Sequence, residues 1–106
     1  MTKIESDIIE KIKSTVAQTD SSAEIILFGS RARGDAKIDS DWDLLIIINK
    51  QKVTREIEQS FTHPIYDIEL ETGHAISTLV VAKKDWDTKF TVTPFYLNIK
   101  NEGIKL

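Results

Sequence analysis

The spacing of apolar positions changes several times along the chain, and each change marks a new element. Near the amino end, Ile4, Ile8, Ile9, Ile12 and Val16 fall at helical spacing behind Thr2 and Glu5, which stand at capping-box separation. That pattern predicts an amphipathic helix. The polar stretch Thr19-Asp20-Ser21-Ser22 ends it, and Glu24-Ile25-Ile26-Leu27-Phe28 follows as an apolar run of strand length closed by Gly29. A second run, Trp42 to Ile48, shows no alternation beyond its aspartates. It reads as a strand covered on both faces and therefore central.

The next segment is ambiguous in period. Val53, Ile57, Phe61, Ile65 and Ile68 repeat every three or four residues, whereas Ile65 to Glu71 also fits an alternating strand. The helical reading extends to Thr72 with Gly73 as its C-cap, and Pro64 is expected to kink or restart it. Ile76-Ser77-Thr78-Leu79-Val80-Val81-Ala82 is a β-branched run of strand type. A short helical turn is expected around Asp85-Trp86. Thr93-Pro94 then reads as N-cap and first position of a last helix that carries Phe95, Tyr96 and Ile99 and ends at Gly103. Alternating helices and strands define the α/β (α+β) class, with a small mixed sheet of three to four strands partly covered by helices. At 106 residues, one domain spanning 1–106 is expected.

Composition narrows the chemistry. No stretch approaches the roughly 18 apolar residues of a membrane span, and the first residues lack the apolar core of a secretory signal, so a cytoplasmic location is expected. The absence of cysteine excludes a disulfide framework and thiolate metal sites. A net charge of −3 lacks the basic footprint that long nucleic acids demand. His63 and His74 stand alone, without a second ligand at metal spacing. Trp42, Phe61, Trp86, Phe95 and Tyr96 read as core.

The chemistry-bearing stretch lies between the first two strands. Gly29-Ser30-Arg31-Ala32-Arg33-Gly34 turns sharply out of a strand into a short helix whose free N–H groups suit phosphate, with a serine hydroxyl and two arginines beside it. It is not a Walker A loop, because that spacing and its Lys-Ser/Thr pair are missing. Arg33 reads equally as a phosphate ligand or as an ion-pair partner of Asp35 or Asp39. Asp41 and Asp43 follow, and positions i and i+2 of a strand share a face about 6.6 Å apart. Two carboxylates that close raise each other's pKa unless a cation lies between them, and Mg²⁺ prefers hard oxygen ligands beside phosphate. Trp42, Leu44, Ile46 and Ile48 on the other face would anchor the strand in the core.

Taken together, the strand ending in Gly29-Ser30, the segment Arg31 to Gly34 and Ser40-Asp41-Trp42-Asp43-Leu44-Leu45-Ile46 resemble the signature of the nucleotidyltransferase superfamily that includes DNA polymerase beta. The likeness is greatest to its smallest members, the minimal nucleotidyltransferases, and the tail from Thr93 to Ile104 is also similar to stand-alone examples. The resemblance implies that Gly29 and Ser30 hold a nucleoside triphosphate such as ATP, with Arg33 a candidate ligand beside them, and that Asp41 and Asp43 bind two Mg²⁺ ions. It implies transfer of a nucleoside monophosphate to an acceptor hydroxyl. It also implies a small helical HEPN-type partner, a toxin that such proteins neutralise as antitoxins.

One departure stands out. Members of the superfamily commonly present a third carboxylate from a later strand, and Ile76 to Ala82 contains none. Asp67, Glu69 and Glu71 are the nearest acids, and Glu69 is the candidate. Without a third acid, the alternative is a catalytically weak nucleotide-binding module that acts by protein-protein contact.

Overall fold

A computed structural model describes all 106 residues. Helix α1 (Lys3–Thr19) starts at Thr2, whose side chain accepts from the Glu5 N–H while the Glu5 side chain accepts from the Thr2 N–H, so the capping box is complete. Strand β1 (Glu24–Phe28), helix α2 (Ser30–Arg33) and strand β2 (Trp42–Ile48) follow. Helix α3 (Arg55–Thr72) is capped by Thr54 and closed by Gly73. Strand β3 (Ile76–Ala82), helix α4 (Lys83–Asp87), a 3-10 turn (Lys89–Val92), helix α5 (Pro94–Glu102) and strand β4 (Ile104–Lys105) complete the order. Thr93 caps α5 by accepting from the Tyr96 N–H, with Pro94 in the first turn where its missing N–H costs nothing.

The four strands form one mixed sheet in the order β3-β2-β1-β4. β2 runs antiparallel to β1, with Phe28 opposite Asp43, and parallel to β3, with Asp43 opposite Ser77. The sheet separates two apolar clusters. On one face Ile25, Leu27, Trp42, Leu44, Ile46 and Ile48 meet Ile8, Ile12 and Val16 of α1 and Phe61, Ile65 and Ile68 of α3. On the other, Leu45, Ile47 and Val81 meet Trp86 of α4 and Ile99 of α5, flanked by Phe28, Phe90, Phe95 and Tyr96. β2 is therefore covered on both sides, and six of its seven residues are buried.

α3 is one helix from Arg55 to Thr72 with Pro64 inside it, so the helix does not restart at the proline. A proline frees the carbonyl four residues before it. Here that carbonyl belongs to Ser60, and the Thr19 hydroxyl, shared with the Thr15 carbonyl, donates to it at 3.3 Å. The orphaned acceptor is satisfied from α1, so the helix continues.

Candidate active site

The bend between β1 and α2 is built around Gly29, whose φ of 73° and ψ of −158° lie in territory that essentially only glycine occupies. Its carbonyl accepts from the Ala32 and Arg33 N–H groups at 3.1 and 3.0 Å, closing the first helical turn at once. A Cβ at position 29 would overlap the Asp43 Oδ2 atom and lie 3.2 Å from its Cγ. The glycine is thus required twice, by its dihedrals and by the carboxylate lying against it. Ser30 follows, half-buried, as the first residue of α2.

Asp43 alternates with Leu45 and Ile47, so it shares the face of the α4 and α5 cluster. Burial is the main force holding its carboxyl above the usual carboxylate range, the negative charge of Asp41 pushes the same way, and Arg33 pulls it partly back. Asp41, expected to share the strand with Asp43, lies just before β2 and is exposed. The two acids and Arg33 therefore act on one another electrostatically, and the charged form of Asp43 is the disfavoured one.

The two arginines diverge. Arg31 does not join the phosphate seat expected of it. Its side chain is 5% exposed, pairs with Glu5 at 3.2 Å, donates to the Ile38 and Ser40 carbonyls at 3.3 and 2.9 Å, and places its guanidinium over the Trp42 ring at 4.8 Å. It holds the 34–41 loop against α1. Arg33 stays exposed and is shared between Asp35 at 3.3 Å and Glu102 at 3.4 Å. Of its two expected acid partners Asp35 is the one engaged, and Glu102 was not foreseen.

A third acid does not join the pair. No three His, Asp or Glu side chains gather as a metal cluster. Glu69 lies on α3, across the sheet from Asp43, where its Oε1 accepts from the Ile76 N–H at 2.6 Å and starts β3. Asp67 lies on the same helix. In the register the neighbour of Asp43 on β3 is Ser77, a hydroxyl.

The neighbour on the other side of Gly29 was illegible in the sequence. Pairing of β4 with β1, Ile104 opposite Leu27, carries the end of α5 alongside the bend. Phe28, Gly29, Arg33, Phe95, Asn98 and Glu102 there line a cavity of ≈ 180 Å³. The larger cavity of ≈ 360 Å³, between Thr2, Glu5, Arg31, Lys37 and His74, touches neither aspartate nor Gly29. The smaller cavity is the one lined by Gly29 and Arg33, and neither cavity is lined by Asp41 or Asp43.

The pair of acids fits a divalent cation on chemical grounds. Asp43 is a hard oxygen donor whose charge lacks full compensation, and the missing side chain at Gly29 gives its carboxylate the room it occupies against the bend.

The family of the nucleotidyltransferase domain matches residues 9–105. Among solved structures, the fold is similar to that of a protein from Sulfolobus solfataricus described as a candidate nucleotidyltransferase, with a TM-score of 0.51 and 21% identity over 82% of this chain and 80% of that one. No curated protein matches. The family match runs from within α1 to β4 and spans both the Gly29 bend and the two acids, so the chain belongs to the nucleotidyltransferase domain family.

Proposed function

We propose that the protein transfers a nucleoside monophosphate, AMP from ATP, to an acceptor hydroxyl, with Mg²⁺ at Asp41 and Asp43 and the triphosphate along Gly29, Ser30 and Arg33. The observation that carries this reading is the Asp43 carboxylate lying in the space a side chain at position 29 would fill, its charge disfavoured by burial and by Asp41. The acceptor hydroxyl gives up its proton to solvent as its oxygen forms a bond to the α-phosphorus, the bond from that phosphorus to the bridging oxygen breaks, and pyrophosphate leaves. When bound, the divalent ions supply positive charge at the entering and leaving oxygens. Asp43 would hold them from the second residue of β2, a strand buried on both faces, and Asp41 from the exposed position just before that strand. Arg33 exchanges its exposed carboxylate partners for phosphate oxygens. Gly29 lets the phosphates approach the backbone.

The acceptor comes from a partner, and a small helical HEPN-type protein is the class proposed. The test is incubation with α-labelled ATP, Mg²⁺ and such a protein. Label appears on the partner with wild type and is lost in Asp41→Asn and Asp43→Asn. Label transfer that persists in both variants would refute the assignment. A second reading follows from Ser77 standing beside Asp43 and Glu69 being spent on Ile76. With no third acid the protein acts as a slow or purely binding module, and a stable complex without label transfer distinguishes it.

A further inference from the structure

The two edges of the sheet are built differently. The β4 edge is two residues long and carries Lys105, which pairs with Glu24 at 3.4 Å. Shortness and charge are the usual protection of an exposed edge. The β3 edge has neither. It is seven residues long, without charge or proline, and no strand pairs with its outer side. α3 flanks it on one face, leaving a cavity of ≈ 200 Å³ between Tyr66 and Thr78, in which the buried Thr78 hydroxyl has no partner. On the other face α4 covers Val81, while Ser77 and Leu79 stay exposed.

Exposed apolar side chains collect along this edge. Leu79 is 40% exposed, and Tyr66 and Leu70 of α3, one turn apart, are 55% and 68% exposed. We propose that β3 pairs antiparallel with β3 of a second copy about a two-fold axis through Leu79, joining the two sheets into one of eight strands. The axis stands perpendicular to the sheet, so like faces stay together. Leu79 then meets its own counterpart on one face, and the stripe of Tyr66 and Leu70 meets its counterpart on the other.

Charge favours the same arrangement. Each β3 starts beside Glu69, with Asp43 one strand inward, and is followed at once by Lys83, which pairs with Glu24 and Asp87 of its own chain, and by Lys84. Antiparallel pairing brings Lys84 of each copy toward the acidic start of the other, and none of the seven paired residues carries a charge that would oppose the pairing. The surface is complementary to itself, which a two-fold interface requires.

The cysteine-free chain offers a direct test. Residues opposed at an antiparallel axis have Cα atoms about 4.5–5.5 Å apart, within disulfide range. Leu79→Cys is expected to cross-link under mild oxidation to twice the 12.0 kDa of the monomer. Val92→Cys, at a position 88% exposed and away from β3, is expected to remain single. Sedimentation of wild type should show a concentration-dependent dimer, weakened about tenfold or more by Leu70→Lys on the helix surface. Wild type that stays monomeric to millimolar concentration overturns the proposal, including the case where the edge accepts a strand of another protein. Leu79→Cys that links no faster than Val92→Cys overturns it as well.

Discussion

Replacing Gly29 by alanine tests the site at its narrowest point. At φ 73° and ψ −158° an alanine bears backbone strain of about 1–3 kcal/mol. Its Cβ also overlaps Asp43 Oδ2, so the carboxylate must swing away from the bend. Gly34→Ala is the control, because its φ of 83° is also left-handed but a Cβ there meets nothing within 4 Å. Its cost is about 1 kcal/mol, the lower end of the penalty for an L-residue in the left-handed region. In a domain of this size each kcal/mol lowers the melting temperature by about 4–8 °C. The control should therefore lose about 5 °C and Gly29→Ala about 10 °C or more. Thermal melts should be run for Gly29→Ala alone and in an Asp43→Ala background, where the overlap with the carboxylate is gone and the cost should fall toward that of Gly34→Ala. Label transfer should be lost in Gly29→Ala and kept in Gly34→Ala. Equal cost in both backgrounds, or transfer by Gly29→Ala at the wild-type rate, would show that the glycine and the acid are not packed as described.

Two further outcomes follow from the buried charges. Because the folded state holds the Asp43 carboxyl above its usual range, it binds that proton more tightly than the unfolded chain does, so metal-free stability rises as pH falls through the raised value and is lower above it. Asp43→Asn should flatten that acid-side dependence, melt no lower than wild type near neutral pH without metal, and abolish the stabilisation by Mg²⁺; melting curves against pH check all three. Arg31→Ala strands the Glu5 carboxylate and the Ile38 and Ser40 carbonyls, and should cost about 2–3 kcal/mol in urea denaturation. Arg31→Lys should recover little of it, since a single ammonium cannot reproduce the fork and the stacking on Trp42; full recovery would contradict the network.

What was legible in the chain divides by range. The capping box at Thr2, the C-cap at Gly73, the pair Thr93-Pro94 and the two long apolar runs each carry their meaning within a few residues, and the elements they announce are present. β4 was not legible, because two residues have no period; they form a strand only where the outer side of β1 needs a partner. Pro64 signalled a break that Thr19, forty-one residues away from Ser60, removes. At the site, the Gly29 bend and the Asp41-Asp43 spacing were local and readable. Which of two arginines one residue apart turns inward depends on Glu5 and Trp42, and the partner of Arg33 at Glu102 lies 69 residues downstream. Glu69 looked available only because its bond to Ile76 depends on how α3 turns back onto β3.

The central position of β2 bears on how the site moves. A strand with hydrogen-bonded neighbours on both sides and apolar layers above and below belongs to the part of a protein whose amides exchange last with solvent water. Arg33 and Glu102 are exposed and joined only by a surface ion pair, a bond of small worth. Asp43 thus stands on one of the last parts of the fold to open, while the exposed Arg33 beside it is held by surface pairs alone and is free to rearrange.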